Sequence, residues 1–128
     1  MMVAGIGCRK GVSVEDVLAA IETALEAHGL AMTALSALAT AVLKKDEEAI
    51  AAAGRALNLP VIVVDDAALQ AAAPDTLSHS DLSQTLAGTP SVSEASALAV
   101  AGTGAKLLGP RTVLGPVTCA IAISGDAP

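Results

Sequence analysis

Apolar residues occur along the chain in two patterns. Short, mostly apolar runs, which fit strands of a sheet, occupy residues 2–6, about 38–43, 61–64, 105–109 and 117–123. Segments with apolar residues three or four positions apart, which fit amphipathic helices, lie between most of them. This alternation predicts helices on both faces of a mostly parallel sheet. We therefore expect one three-layer α/β/α domain over residues 1–128, with a mixed sheet of about five strands.

The clearest helical pattern follows the first strand. Ser13 fits the N-cap position, and Asp16 stands three residues later as a capping-box partner. Gly29 fits the residue that ends the helix. The predicted inner face is apolar, and most of the acidic residues fall on the other face. The inner-face residues are Val14, Val17, Leu18, Ile21 and Leu25.

The remaining helices are predicted mainly from their start and stop signals. Asp46 caps a helix over 47–57, and a short helix runs from 65–66 to 73 before a proline. Ser91 begins another helix, and Glu94 completes the S-x-x-E capping box. A helical turn is expected near 33–36, and the polar segment 75–88 is expected to be the longest loop.

The strands differ in their expected places in the sheet. The β-branched run VIVV at 61–64 predicts an interior parallel strand. The last two strands, AKLLG and VTCAIAI, are both apolar enough to be central, and the segment PRTVLGP joins them. If these two strands form a hairpin, the sheet is mixed.

Composition limits the possible functions. The chain has no Phe, Tyr or Trp, so the core must be built from Val, Leu, Ile and Ala, and base stacking on aromatic rings is excluded. Seven Lys and Arg against thirteen Asp and Glu give a formal net charge of −6. Such a balance does not supply the basic surface that a nucleic-acid backbone requires. We expect no nucleic-acid partner.

Two cysteines and the N-terminal sequence bear on the cellular compartment. Cys8 and Cys119 are far apart in the sequence and have no C-x-x-C spacing, which favours reduced thiols over a disulfide framework or a zinc site. The N-terminus lacks the pattern of a signal peptide. The longest uncharged stretch, 30–43, is too short for a membrane span. A cytoplasmic protein without a membrane partner is expected.

The segment GIGCRKG, expected to be a loop over 5–11, is the first candidate site. Its glycines, Gly5, Gly7 and Gly11, resemble loops whose bare amides hold an anion, and Arg9 and Lys10 add positive charge. The spacing does not match a dinucleotide fingerprint, and lysines stand at the next strand end in place of the ribose-binding acid. An anion site and a plain tight turn both remain open.

The cations are unevenly placed in this acidic protein. Six of the seven fall near expected strand ends or loops, where open α/β sheets bind ligands, and the seventh, Arg55, lies within a helix. Lys106 is expected at the opposite edge or pointing outward. The alternative is ordinary surface charge. The six are Arg9, Lys10, Lys44, Lys45, Lys106 and Arg111.

Two single residues could take part in chemistry. Glu94 is a candidate catalytic carboxylate, although the capping box explains it structurally. Cys8 could be a reactive thiol whose pKa is lowered by the nearby cations, or it could be a small buried residue. Cys119 is expected in the core. The sequence holds no metal-ligand cluster, and no cofactor is expected.

Several segments together resemble the CobE / CbiG C-terminal family of cobalamin biosynthesis. They are GIGCRKGVS, ATAVLKKDE, LNLPVIVVDD, TPSVSEASAL and GAKLLGPRTVLGPVTCAIA, in this order along nearly the whole chain. In CbiG proteins the domain follows an N-terminal domain, and the whole opens a δ-lactone of cobalt-precorrin-5A and releases acetaldehyde. A stand-alone CobE-like form is expected here. Many members have an acidic residue where this chain has Val42, and paired glycines where it has Gly115 and Pro116.

The resemblance implies a role in making the corrin ring. We expect binding of a precorrin or hydrogenobyrinate-type intermediate, as a carrier or an accessory to other cobalamin-pathway enzymes, because such macrocycles carry many carboxylates. A lactone hydrolase using Asp46 or Glu94, and a regulatory domain that binds a nucleotide at GIGCRKG, are the alternatives. The expected ligand-binding residues are Gly5, Gly7, Cys8, Arg9, Lys10, Gly11, Lys44, Ser91 and Glu94.

Overall fold

The computed structural model describes residues 2–8, 11–41, 48–72, 92–102, 104–109 and 111–124. Strands and helices alternate through the first half of the chain, and three strands follow the last helix. The strands are β1 (Met2–Cys8), β2 (Ala37–Ala41), β3 (Val61–Val64), β4 (Lys106–Leu107), β5 (Thr112–Leu114) and β6 (Val117–Ile123). The helices are α1 (Val14–Glu26), α2 (Glu48–Leu57), α3 (Asp66–Ala72) and α4 (Val92–Ala101), with a 3₁₀ turn at Met32–Ala34.

The six strands form one mixed sheet. Its order is β3-β2-β1-β6-β4, and β5 also pairs with β6. Strands β1, β2 and β3 are parallel, while β6 runs antiparallel to β1 and to both short strands beside it. The carboxyl ends of β1, β2 and β3 therefore meet at one edge of the sheet, called here the carboxyl edge.

Helices cover both faces of the sheet. Helices α1 and α2 pack on one face, where side chains such as Ile6 and Leu38 form a core cluster with Ile21. Helices α3 and α4 pack on the other face, where Val3 and Ala39 join a second cluster. Because side chains alternate along a strand, Gly5 and Gly7 fall on the α4 face of β1. The result is the expected three-layer α/β/α arrangement.

Two short strands, β4 and β5, form the edge of the sheet next to β6, with a break between them. Lys106 pairs with Ile123, while Thr112 pairs with Cys119, so β4 and β5 lie along the same side of β6. The amide of Leu108 still donates to the carbonyl of Ile121 over 3.0 Å. Pairing with β6 therefore continues as far as Leu108, and a bend follows at Leu108 and Gly109. Beyond this bend, β5 and β6 form a hairpin that turns at Gly115 and Pro116.

The structure confirms the α/β class and the mixed sheet, and it corrects three details. β1 continues to Cys8, so Gly5 and Gly7 are strand residues and not part of a loop. The VIVV run is not interior: within the described residues β3 pairs only with β2, and Ile62 and Val63 are exposed. The segment PRTVLGP is more than a connection, because it contains β5.

The misplaced VIVV run shares its cause with a fourth correction, that of the AKLLG run, which was also expected to be central. Apolar content does not distinguish an interior strand from an edge strand whose side chains are partly covered by helices. The AKLLG run contributes only Lys106–Leu107 to β4 at the sheet's edge, whereas VTCAIAI is central as expected. Among the described residues, no helix is both long enough and apolar enough to span a membrane.

Candidate functional site

Helix N-termini gather at the carboxyl edge of the sheet. Helices α1, α2 and α3 each follow a parallel strand, so each begins where that strand ends. Helix α4 runs antiparallel to β1, since Ser93 lies over Gly5 and Gly7 while Ala97 lies farther back over Gly5. The partial positive charge of a helix N-terminus favours anions, so this edge has an intrinsic preference for negative groups.

The first two glycines of GIGCRKG are needed for packing. A Cβ built on Gly5 would overlap the carbonyl oxygen of Ser93 and come within 2.8 Å of the backbone nitrogen of Ala97. A Cβ on Gly7 would lie 2.7 Å from the hydroxyl of Thr118. Both glycines are buried in a strand that is paired with its neighbours. They let the backbone of α4 approach β1 closely, which explains them without a bound anion.

Gly11 has a different environment. It is exposed, its φ is +82°, and an added Cβ would meet nothing within 4 Å. This glycine therefore serves the left-handed turn between β1 and α1. Of the three glycines in the motif, it is the one whose backbone the described structure leaves open to solvent.

The N-terminus of α1 is capped from within the chain. The hydroxyl of Ser13 accepts from the amide of Asp16 over 3.1 Å, and the Asp16 carboxylate accepts from the amide of Ser13 over 3.3 Å. This confirms the predicted capping box. Because Glu15 and Asp16 are in the first turn, their charges already occupy the favourable end of the helix dipole. An anionic ligand at this edge would depend mainly on other donors.

Two threonine hydroxyls donate hydrogen bonds to carbonyls near the carboxyl end of β1. Thr40 donates to the carbonyl of Ile6 over 3.1 Å, and Thr118 donates to the carbonyl of Gly7 over 3.3 Å. A free carbonyl oxygen would repel a carboxylate. Both oxygens accept hydrogen bonds from hydroxyl groups here, which weakens their repulsion of an anion near the end of β1.

Glu94 is fully buried and joins two elements. Its Oε2 accepts from the backbone amide of Arg111 over 2.8 Å, across seventeen positions of sequence. Arg111 directly precedes β5, so the bond ties the first turn of α4 to the start of that edge strand. The sequence assigned Glu94 to a capping box with Ser91, which lies outside the described residues. The contact with Arg111 had no sequence signal, because the two residues are in different elements.

Both cysteines are buried and neither forms a disulfide. Cys8 is on the α1 face of β1 as part of the core cluster, in agreement with the interpretation as a small buried residue. Burial raises the pKa of the Cys119 thiol to about 12, because a thiolate would lose its hydration there. Cys119 is therefore a protonated core residue, as expected.

Several expected site residues lie outside the described residues. They are Arg9, Lys10, Lys44, Asp46 and Ser91, and Val42 and Lys45 are outside as well. Their sequence neighbours are described: Arg9 and Lys10 follow Cys8, the last residue of β1, and Lys44 comes shortly after β2. The expectation that these cations serve the carboxyl edge stays a prediction.

Two of the described cations, Lys106 and Arg55, fall at or near the opposite edge. Lys106 is exposed, and its partner Ile123 pairs with Met2, so Lys106 is level with the start of β1. Arg55 is exposed in the last turn of α2. The structure therefore confirms that Lys106 does not belong to the carboxyl edge. These two residues offer a charge-matched comparison for the cations that follow β1.

A shallow apolar groove lies on the α4 face beside β3. It has a volume of about 320 Å³ and includes Ile62, Val64 and Asp65 with Ala68, Ala99 and Val100 in its walls. Asp65 is its charged residue, and the carboxylate of Asp65 accepts from the amide of Ala68 over 2.8 Å. That charge disfavours a polycarboxylate guest in the groove. Across the described parts of the chain, no group of three or more His, Cys, Asp or Glu residues could hold a metal ion.

Comparison with known proteins gives a consistent result. The family model "Cobalamin synthesis G C-terminus" matches residues 2–122. Protein CobE of Sinorhizobium sp. is 32% identical over 121 residues, which is 94% of this chain and 79% of that protein. Both matches span almost all of the chain.

Solved structures agree with the sequence matches. The crystal structure of CobE, described as a protein from the cobalamin (vitamin B12) biosynthetic pathway, has a TM-score of 0.90 and 37% identity, covering 95% of this chain and 89% of that one. Cobalamin biosynthesis protein chiG from Agrobacterium tumefaciens has a TM-score of 0.79 and 45% identity, covering 98% and 100%. A cobalamin biosynthesis protein G homologue from Sulfolobus solfataricus has a TM-score of 0.69 and 22% identity, covering 94% of this chain and 36% of that one, and it shares the fold.

Proposed function

The chain belongs to the cobalamin synthesis G C-terminus family, as a protein of cobalamin biosynthesis, and we propose that it binds a corrin or precorrin intermediate. In this role it is a carrier for the intermediate or an accessory to the enzymes that modify the corrin ring. The proposed ligand is a flat apolar macrocycle with carboxylates around its rim.

The observation that supports this proposal is the gathering of helix N-termini at the carboxyl edge. Helices α2 and α4 begin there beside the capped N-terminus of α1, and the carbonyls of Ile6 and Gly7 near the end of β1 accept hydroxyl donors from Thr40 and Thr118. In the sequence, Arg9 and Lys10 come directly after β1 and Lys44 shortly after β2. A cluster of amide donors and cations suits carboxylates, which accept charge-assisted hydrogen bonds.

The experiment is a titration with a metal-free hydrogenobyrinate-type corrinoid, followed by its visible spectrum. The protein has no aromatic residues, so any spectral change belongs to the ligand. The double variant Arg9→Ala and Lys10→Ala should bind more weakly by ~1–3 kcal/mol if the two side chains meet carboxylates away from bulk water. The loss should shrink at high salt, since screening weakens charge interactions.

The matched control is the double variant Arg55→Ala and Lys106→Ala. It removes the same charge from exposed positions away from the carboxyl edge, so the overall field of the protein changes equally. Unaltered binding by this control, together with weaker binding by the first variant, supports the site. Equal affinities for both variants and the natural chain would remove the GIGCRKG segment from the proposed site.

The same assay distinguishes the other functions that the sequence leaves open. Release of acetaldehyde from a precorrin lactone would favour a hydrolase, and its dependence on Asp46 or Glu94 could then be measured. An unchanged corrinoid spectrum, combined with a rise in melting temperature on adding a nucleotide, would favour a regulatory domain. Either result would replace the carrier proposal.

A further inference from the structure

Strand β3 leaves one side of its backbone without a neighbour among the described residues. It pairs with β2 on the other side, and no hydrogen bond from the described parts of the chain reaches its outer side. Edge strands are commonly protected by charged side chains or bulges. The residues of β3, Val61–Val64, are all uncharged and β-branched, and Ile62 and Val63 are 37% and 45% exposed. The strand therefore carries no charge that would keep another strand away.

The register with β2 identifies which backbone groups of β3 point outwards. The amide of Leu38 donates to the carbonyl of Pro60 over 2.9 Å, and Leu38 pairs with Val61. In a strand, the amide and carbonyl of one residue point to the same side, and the side alternates from one residue to the next. Ile62 therefore directs its amide and carbonyl towards β2, whereas Val61 and Val63 direct theirs away from the sheet.

A second copy of the same strand matches these outward groups. When two copies meet antiparallel with Ile62 opposite Ile62, Val61 of each copy lies opposite Val63 of the other. Each of these two pairs exchanges two N–H···O=C bonds, so the contact contains four hydrogen bonds about a two-fold axis. The same patch supplies both sides of the contact, as a symmetric dimer requires.

The side chains of β3 fit the same arrangement. Val61 packs against the core cluster under α1 and α2, so Val63 projects on that face, while Ile62 projects with Val64 on the α4 face. Opposed residues of an antiparallel pair project to the same side. In the dimer, Val63 therefore lies beside Val61 of the second copy, and the two Ile62 side chains lie next to each other. Both exposed residues gain an apolar neighbour.

Charge favours this antiparallel arrangement over a parallel one. Asp65 directly follows β3 and is exposed, and a parallel pair would place two Asp65 carboxylates side by side. The antiparallel pair separates them by about six residue steps, or ~20 Å. Helix α2 ends near the start of β3, since Gly54 lies against Val61, and Arg55 is exposed in the last turn of α2. Asp65 of one copy and Arg55 of the other then fall at the same end of the contact.

We propose that the chain forms a symmetric dimer through the outer side of β3, which joins the sheets of two copies into one continuous sheet. Because the two-fold axis reverses the strand direction, the carboxyl edges of the two copies face opposite ways, and strand pairing covers neither. The inference goes beyond the proposed function and does not depend on it. A contact between two four-residue strands is small, so the dimer should dissociate on dilution.

Sedimentation velocity over a range of protein concentrations tests the dimer. Val63→Lys should raise the dimer dissociation constant at least about tenfold, because a lysine on an edge strand opposes pairing and each dimer contains two of them. The matched control is Val113→Lys, which adds the same charge at a position 61% exposed on β5. It should leave the constant within about twofold, because an exposed charge away from the contact is screened.

Three results would overturn the proposal. The first is a natural chain that stays monomeric up to about 1 mM. The second is a dimer that Val63→Lys leaves intact. The third is a dimer that is lost in Val113→Lys and kept in Val63→Lys, which would place the contact at β5. An unchanged far-UV circular dichroism spectrum of each variant distinguishes loss of pairing from loss of the fold.

Hydrogen exchange of the natural protein tests the same contact without a variant. The amides of Val61 and Val63 should exchange fast in dilute solution and more slowly at a concentration where the dimer forms. The amide of Ile62, which points towards β2, should be protected at both concentrations. Exchange rates of Val61 and Val63 that do not change with concentration would contradict the proposal.

Discussion

Individual residues show how closely the layers of this protein approach each other. Gly5 is the tightest point, because α4 lies directly on its Cα and leaves no room for a side chain. The sequence alone suggested an open glycine loop at this position, since a strand glycine and a loop glycine look the same in one sequence. The distinction depends on α4, which arrives almost ninety residues later in the chain.

Gly5→Ala should lower the free energy of unfolding by about 3 kcal/mol or more, because the new methyl group overlaps backbone atoms that cannot rotate away. Chemical denaturation followed by far-UV circular dichroism measures this loss, and suits a chain without Trp or Tyr.

The matched control is Gly11→Ala. An added Cβ at Gly11 meets no neighbour within 4 Å, so only the cost of a positive φ remains, about 1–2 kcal/mol. Equal losses for the two variants would show that the close approach of α4 to β1 is not what requires Gly5.

The Cys119 thiol predicts a pH dependence of stability. Its pKa is raised by burial from 9.0 in the unfolded chain to about 12 in the folded protein. Above pH 9.0 the unfolded chain releases this proton while the folded chain keeps it, so stability should fall as pH rises towards 12. The slope from this group approaches ~1.4 kcal/mol per pH unit. Unfolding curves at a series of pH values measure it.

Cys119→Ala isolates that contribution, because every other titrating group remains. The variant should lose less stability between pH 9.0 and 12 than the natural chain. Parallel pH profiles for the two proteins would mean that the thiol is not shielded from water.

At the scale of whole elements, the Glu94–Arg111 bond joins α4 to the residue that directly precedes β5. Glu94→Ala should lower the free energy of unfolding by ~1–3 kcal/mol, since it leaves the Arg111 amide without this acceptor. It should also speed hydrogen exchange of that amide. Denaturation and exchange together distinguish loss of this bond from a general loss of packing.

Glu94→Gln is the conservative comparison. Its side-chain carbonyl can still accept from the Arg111 amide, so exchange at Arg111 should stay close to that of the natural chain. If the alanine and glutamine variants exchange alike, the hydrogen bond does not control the bend before β5.

Local signals predicted some elements well and others poorly. The Ser13–Asp16 capping box and the apolar face of α1 are set by residues close in sequence, and both were predicted correctly. The position of β3 in the sheet order is set by which strands pair, and its four β-branched residues fit an edge as well as an interior strand. Strand β5 was missed because Gly and Pro on both sides indicate a loop.

Across the whole molecule, the candidate site combines predictable and unpredictable parts. The carboxyl edge follows from the order of strands and helices, so the sequence could locate it. The roles of Gly5 and Glu94 and the position of the β5–β6 hairpin depend on contacts between distant segments, which one sequence does not reveal. The family resemblance supplied the ligand class, and the positions of the cations in the sequence supplied the reason for proposing this edge.

The central claim is that the carboxyl edge binds a macrocycle through its carboxylates. The most direct test compares the dissociation constants of a hydrogenobyrinate-type corrinoid and of the same corrinoid with its carboxylates amidated, both at low salt. The corrinoid with free carboxylates should bind at least about tenfold more tightly than the amidated one, and this difference in affinity should decrease as salt is added. Equal affinities for the two ligands, or no binding of either, would contradict the account.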